Sequence, residues 1–144
     1  YWLTGNILID RANTNKAMGT ITQTVKKIKD KNLSVWLFPE GTRSNGRGLL
    51  RFKTGAFRTA AEAGVPIVPV CSSNLHGAIK WNRWDNGRVI IEILPPVYCS
   101  IENKDNVRTV ANDIHTLMSD KIEQLSIETG TSLNSHKSKE QENV

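Results

Sequence analysis

Cysteine is scarce: only Cys71 and Cys99 occur in 144 residues. Their spacing fits neither a metal-ligand pattern nor the disulfide framework of a small secreted domain, so they read as reduced, buried thiols of an intracellular domain. Long hydrophobic runs are missing as well. Stretches such as Val89-Ile90-Ile91 and Ile93-Leu94 fall far short of the roughly 18 apolar residues a membrane span needs, and no signal peptide is visible. The chain by itself is therefore not expected to cross a bilayer. There is no internal repeat, and the aromatic residues, 6% of the chain, are not interleaved as a base-stacking platform. No nucleic-acid-binding motif appears, although a lysine run at positions 26–31 leaves that class open.

What remains suits one globular domain with a single core: 38% hydrophobic and 23% charged residues. A formal charge of +5 favours anionic partners, whether phosphate esters, an anionic membrane surface or nucleic acid. The chain opens on Tyr1-Trp2-Leu3-Thr4-Gly5, apolar and without an initiating methionine, and reads as an amino-terminally truncated piece.

Asn6–Asp10 is a strand candidate, followed by a polar loop at Arg11–Thr14. A helix is expected from about Asn15 to Asp30, with Ala17, Met18, Ile21, Val25 and Ile28 on its apolar face and lysines crowding its carboxyl end, most simply as a solvated end. Ser34–Phe38 is short, β-branched and aromatic, a second strand closed by Pro39. A second helix begins near Thr54 and stops at Gly64. Pro66–Cys71 and Arg88–Ile93 follow as strands, and a final helix over about Lys104–Glu128 carries Val107, Val110, Ile114, Leu117, Ile122 and Leu125 on one stripe. The β-α-β-α-β-β-α order predicts an α/β fold, a mostly parallel sheet with flanking helices, over residues 1–128. Residues 129–144 form a polar tail expected to be disordered. Trp2 and Trp36 are expected in the core. Trp81 and Trp84, set among Lys80, Arg83 and Arg88, suit either a membrane interface or the cover of a sheet edge.

Phe38-Pro39-Glu40-Gly41-Thr42-Arg43 places a carboxylate, a flexible residue, a hydroxyl and a guanidinium at a strand's carboxyl end, where open α/β sheets bind ligands. It reads as a phosphate-handling loop. Right-handed crossovers would bring Asp10-Arg11, Glu40–Arg43 and Ser72-Ser73-Asn74 to one crevice, with Arg11 and Arg43 facing one dianionic group. Lys53-Thr54-Gly55-Ala56 opens the next helix, so Lys53 and free backbone N–H groups add to the anion site. Two or three charge-assisted hydrogen bonds at ~1.5–3 kcal/mol each would favour a phosphorylated ligand by a few hundred-fold or more. A purely structural role for Glu40, paired with Arg43 or Arg11 to fix the loop, is compatible with the arginines binding ligand.

Gly5–Arg11, Phe38–Arg43 and Val65–Val70 resemble, in order and spacing, the second, third and fourth motifs of the glycerolipid acyltransferase family. Phe52–Phe57 and Leu94-Pro95-Pro96 are also similar to the bacterial 1-acylglycerol-3-phosphate acyltransferases of that family. The resemblance implies transfer of a fatty acyl group from an acyl-CoA or acyl carrier protein thioester to the sn-2 hydroxyl of lysophosphatidate. It implies no bound cofactor, an anionic membrane surface as partner, no nucleic acid, and a place on the cytoplasmic face of a bacterial inner membrane. By position, Arg11, Glu40, Gly41, Thr42 and Arg43 would hold the acceptor phosphate, and Pro66 and Pro69 would shape the wall near the donor. Lys53 joins them on the helix-terminus argument alone.

The family's base is a histidine followed five positions later by an orienting aspartate, a His-x4-Asp motif expected upstream of Tyr1. No catalytic residue is therefore assigned within this chain. His115 and Asp120 have that spacing but fall in the last helix, where positions five apart point in different directions, and read as helix surface. The rival reading is a catalytically silent module that binds phospholipid headgroups.

Overall fold

The computed structural model describes residues 14–45, 47–76, 82, 84, 86–99 and 104–131. The strand candidate at Asn6–Asp10 lies outside them.

Helix α1 spans Thr14–Lys31, with Ile28 and Thr24 turned inward and Lys29 and Lys31 in its last turn. The buried Thr24 hydroxyl donates to the Thr20 carbonyl at 2.7 Å, which removes the cost of burying it. Asn32, at φ +49°, turns the chain out of the helix. Helix α2, Gly55–Ala63, stops where expected. Gly64 takes φ +70° and donates to Ala61, while Val65 donates to Ala60, the paired hydrogen bonds of a Schellman end. Helix α2 lies between α1 and the long helix α3, Lys104–Glu128, and touches both.

Strands β1, Val70–Ser72, and β2, Ile91–Ile93, pair antiparallel in the register Val70 with Ile93, Cys71 with Glu92 and Ser72 with Ile91. Reciprocal Ile67–Val97 bonds, Leu94 N–H to the Pro69 carbonyl and Ser73 N–H to the Ile90 carbonyl extend the ladder at both ends. The mostly parallel sheet is not formed by the described residues. A parallel pair needs a crossover, usually helical, and no helix lies between β1 and β2 among the described residues. The regular strands are also shorter than Pro66–Cys71 and Arg88–Ile93, since Pro66 and Pro69 have no N–H to donate.

Ser34–Phe38, expected as a strand, forms no regular strand with the described residues. The segment pairs with no described strand, and Trp36 is 69% and Phe38 76% exposed, so Trp36 is not in the core formed here. Its ring meets Phe38 edge-on at 6.3 Å. Trp84 is fully exposed and covers no sheet edge; Trp81 and Trp2 lie outside the described residues.

The core has two parts. Phe52, Phe57, Val107, Ala111 and Ile114 form one, Cys71, Leu94 and Leu125 the other, and Met118 packs against both. The buried stripe of α3 therefore runs 107, 111, 114, 118, 125, with Leu117 left 46% exposed because Ala111 and Met118 face inward instead. Neither Cys71 nor Cys99 is in a disulfide, and burial raises the pKa of both; at Cys71 the Glu92 carboxylate adds to the rise and Lys121 opposes it.

The first residues of the polar tail complete α3. Gly130, at φ +68°, and Thr131 close a second Schellman end on α3, and the Thr131 carbonyl accepts from Asn74 Nδ2 at 2.9 Å. Residues 132–144 lie outside the described set.

Candidate phosphate-binding loop

The loop from Pro39 to Thr54 is closed by two hydrogen bonds across its neck. Lys53 N–H donates to the Pro39 carbonyl at 2.8 Å, and Leu50 N–H donates to Glu40 Oε2 at 2.9 Å. Gly41 N–H donates to the Phe38 carbonyl at 3.2 Å, a turn that leaves Gly41 at φ +68°. Farther along, Arg47 closes a small loop on the Ser44 carbonyl through its backbone N–H at 3.2 Å and its Nε at 2.9 Å. Glu40 thus fixes the loop through a backbone amide, and it pairs with no arginine among the described residues.

Phe52 anchors the returning limb. It is buried, stacks on Phe57 with ring centroids 6.0 Å apart, and meets the His115 ring edge-on at 4.9 Å. The limb alternates around it, so Arg51 and Lys53 point outward. The Lys53 side chain then crosses Gly41, with Cδ, Cε and Nζ each 3.1 Å from where a β-carbon at Gly41 would lie. Thr42 and Arg43 are exposed and make no hydrogen bond or ion pair with a described residue. At the head of α2, Thr54 makes no side-chain capping bond and no acidic residue occupies the first turn, so the amino-terminal N–H groups keep their capacity to bind an anion.

Of the residues singled out in the sequence, Lys53 lies against Gly41, Glu40 holds the Leu50 amide of the same loop, and Thr42 and Arg43 follow them in the chain and are exposed. Arg11 lies outside the described residues. Ser72-Ser73-Asn74 is engaged elsewhere: Ser73 Oγ accepts from Ile90 N–H, and Asn74 N–H donates to Ser126 Oγ. Pro69 is buried in the ladder, while Pro66 is exposed. His115 is not on the helix surface, as its spacing had suggested. Its Nε2 is buried against the core without a hydrogen-bond partner, and Asp120 is exposed. The Leu50 amide as the partner of Glu40 carried no sequence signal, because any residue supplies an N–H.

The acyltransferase family model matches residues 1–73, just over half of the chain. The chain belongs to the acyltransferase family. Among characterised acyltransferases it is 55% identical over 125 residues to the 1-acyl-sn-glycerol-3-phosphate acyltransferase of Haemophilus influenzae, covering 87% of this chain and 52% of that protein. It is also 55% identical over 125 residues to the enzyme of that name from Escherichia coli, covering 87% and 51%. The crystal structure of the 1-acyl-sn-glycerophosphate (LPA) acyltransferase from Thermotoga maritima superposes with a TM-score of 0.56 at 27% identity, covering 74% of this chain and 44% of that one. This acyltransferase chain thus spans about half the length of the relatives it matches. Among its described residues, no helix is long and apolar enough to cross a membrane.

Proposed function

We propose that the whole protein transfers a fatty acyl group from a coenzyme A or acyl carrier protein thioester to the sn-2 hydroxyl of lysophosphatidate, giving phosphatidate. In this reading Arg43, Thr42 and Lys53, with Arg11, hold the acceptor's phosphate, while Glu40 and Gly41 shape the loop that presents them. One observation carries the assignment: a loop clamped at its neck leaves Arg43 and Lys53 solvent-facing beside a helix amino terminus without a capping side chain. Guanidinium, ammonium and backbone N–H donors of this loop and helix start suit a phosphate, and one oxygen of the Glu40 carboxylate is held on the Leu50 amide.

The proton-transfer half of the reaction falls to a His-x4-Asp pair in sequence ahead of Tyr1, a reading supported by relatives roughly twice as long as this chain. That pair would remove the acceptor hydroxyl's proton as the oxygen attacks the thioester carbonyl, expelling the carrier thiol. We further propose that residues 34–38 take part in a mostly parallel sheet in the whole protein, which would cover the exposed Val35, Trp36, Leu37 and Phe38. The protein would work at an anionic membrane surface, on the cytoplasmic face of a bacterial inner membrane. The test compares the 144-residue chain with a version extended upstream. Acylation of lysophosphatidate by the extended version alone is expected, and equal rates from both would overturn the division of labour.

A further inference from the structure

A second cationic feature stands beside the loop. Arg51, Lys53 and Thr54 on one side and Arg108 and Asn112 of α3 on the other line a groove of about 270 Å³, with Phe52 and Ala111 also at its wall. No acidic residue lines it among the described residues, and neither Arg51 nor Arg108 forms an ion pair with a described residue. Arg51 and Arg108 are both exposed, so nothing in the core requires them. Two guanidinium groups 57 positions apart in sequence but on one groove concentrate positive charge there. The uncapped start of α2 opens at Thr54, one of the lining residues, and adds backbone N–H donors of the same sign.

We propose that this groove binds the nucleotide phosphates of coenzyme A, placing the carrier of the acyl donor beside the acceptor's phosphate loop. Lys53 borders both places, because it crosses Gly41 and also lines the groove. The acceptor carries one phosphate, which the Arg43 side of the loop accounts for, whereas coenzyme A brings several to a compact nucleotide end. The groove falls just below the ~300–1,000 Å³ of pockets that enclose a whole drug-sized ligand, so it suits the charged end of a long ligand whose remainder extends outward. Assigning the phosphates to the donor rests on the acyl-transfer reading; the existence of an anion site does not.

The test is calorimetric titration of the full-length protein with coenzyme A and, separately, with pantetheine, which lacks phosphate. Arg51→Ala and Arg108→Ala are each expected to weaken coenzyme A about tenfold or more. Arg108→Lys should recover part of the loss, and pantetheine should bind weakly and equally to all forms. Coenzyme A binding unchanged in both alanine variants overturns the proposal. So does weakened binding of phosphatidylglycerol vesicles with coenzyme A unaffected, which would give the groove to lipid headgroups. Turnover of lysophosphatidate is read separately: a wild-type protein that binds coenzyme A through Arg51 and Arg108 but transfers no acyl group retains the groove and loses the acyl-transfer reading.

Discussion

The side chain of Lys53 lies across the backbone of Gly41, within 3.1 Å of the position a β-carbon there would fill. A loop residue at a turn and a lysine twelve positions later thereby lie against one another, and the glycine is favoured above all for its φ of +68°.

Gly41→Ala should destabilise the protein by about 1–2 kcal/mol, chiefly through the left-handed backbone, because the flexible end of Lys53 can move aside at small cost. Chemical denaturation measures this. A Gly41→Ala, Lys53→Ala double-mutant cycle should show little coupling in stability; a coupling comparable with the whole effect would place the cost in the contact instead.

Glu40 offers a separation of charge from clamping. Its Oε2 accepts the Leu50 amide at 2.9 Å, a bond that glutamine can also accept. Glu40→Gln should therefore keep kcat/KM for lysophosphatidate within a few-fold, while Glu40→Ala leaves a part-buried amide unpaired and should cost about 1–3 kcal/mol of stability. Equal damage from both substitutions would show that the carboxylate's charge matters to the site.

The thiols give a pH dependence with a definite sign. Burial raises the Cys71 pKa, so above the ordinary thiol value of about 8.5 the unfolded chain loses a proton that the folded chain retains. Stability from this group is intact below that pH and falls as pH rises toward the folded pKa. Replacing Cys71 by alanine should flatten the alkaline limb of a denaturation series and create a small cavity; an unchanged limb would exclude Cys71 as its source. In the native state near pH 7, Cys71 should resist thiol reagents until the protein unfolds.

Much of the helical skeleton was readable from sequence because its signals are local. The glycine stop at Gly64, the apolar spacing of α3 and the lysine-rich end of α1 each depend on a few adjacent residues. Pairings between distant segments were not. Ser34–Phe38 has strand composition, yet a strand needs a neighbour, and none of the described residues provides one. Leu117 follows the helical period as well as Met118 does, and only the position of the two core clusters decides which is buried. At the candidate site, the motif pointed to Glu40–Arg43 directly, and helix-end physics pointed to Lys53. Arg108 had no signal at all, since a surface arginine on a helix is unremarkable until the fold brings Arg51 opposite it.

The phosphate assignment is tested most directly by Arg43→Ala in the full-length protein, assayed with lysophosphatidate and with the matching monoacylglycerol, which lacks the phosphate. Loss of about 1.5–3 kcal/mol in kcat/KM for lysophosphatidate alone, with the slow monoacylglycerol reaction untouched, is the predicted result. An equal fall for both acceptors, or no fall for either, would contradict a role for Arg43 in holding the acceptor's phosphate.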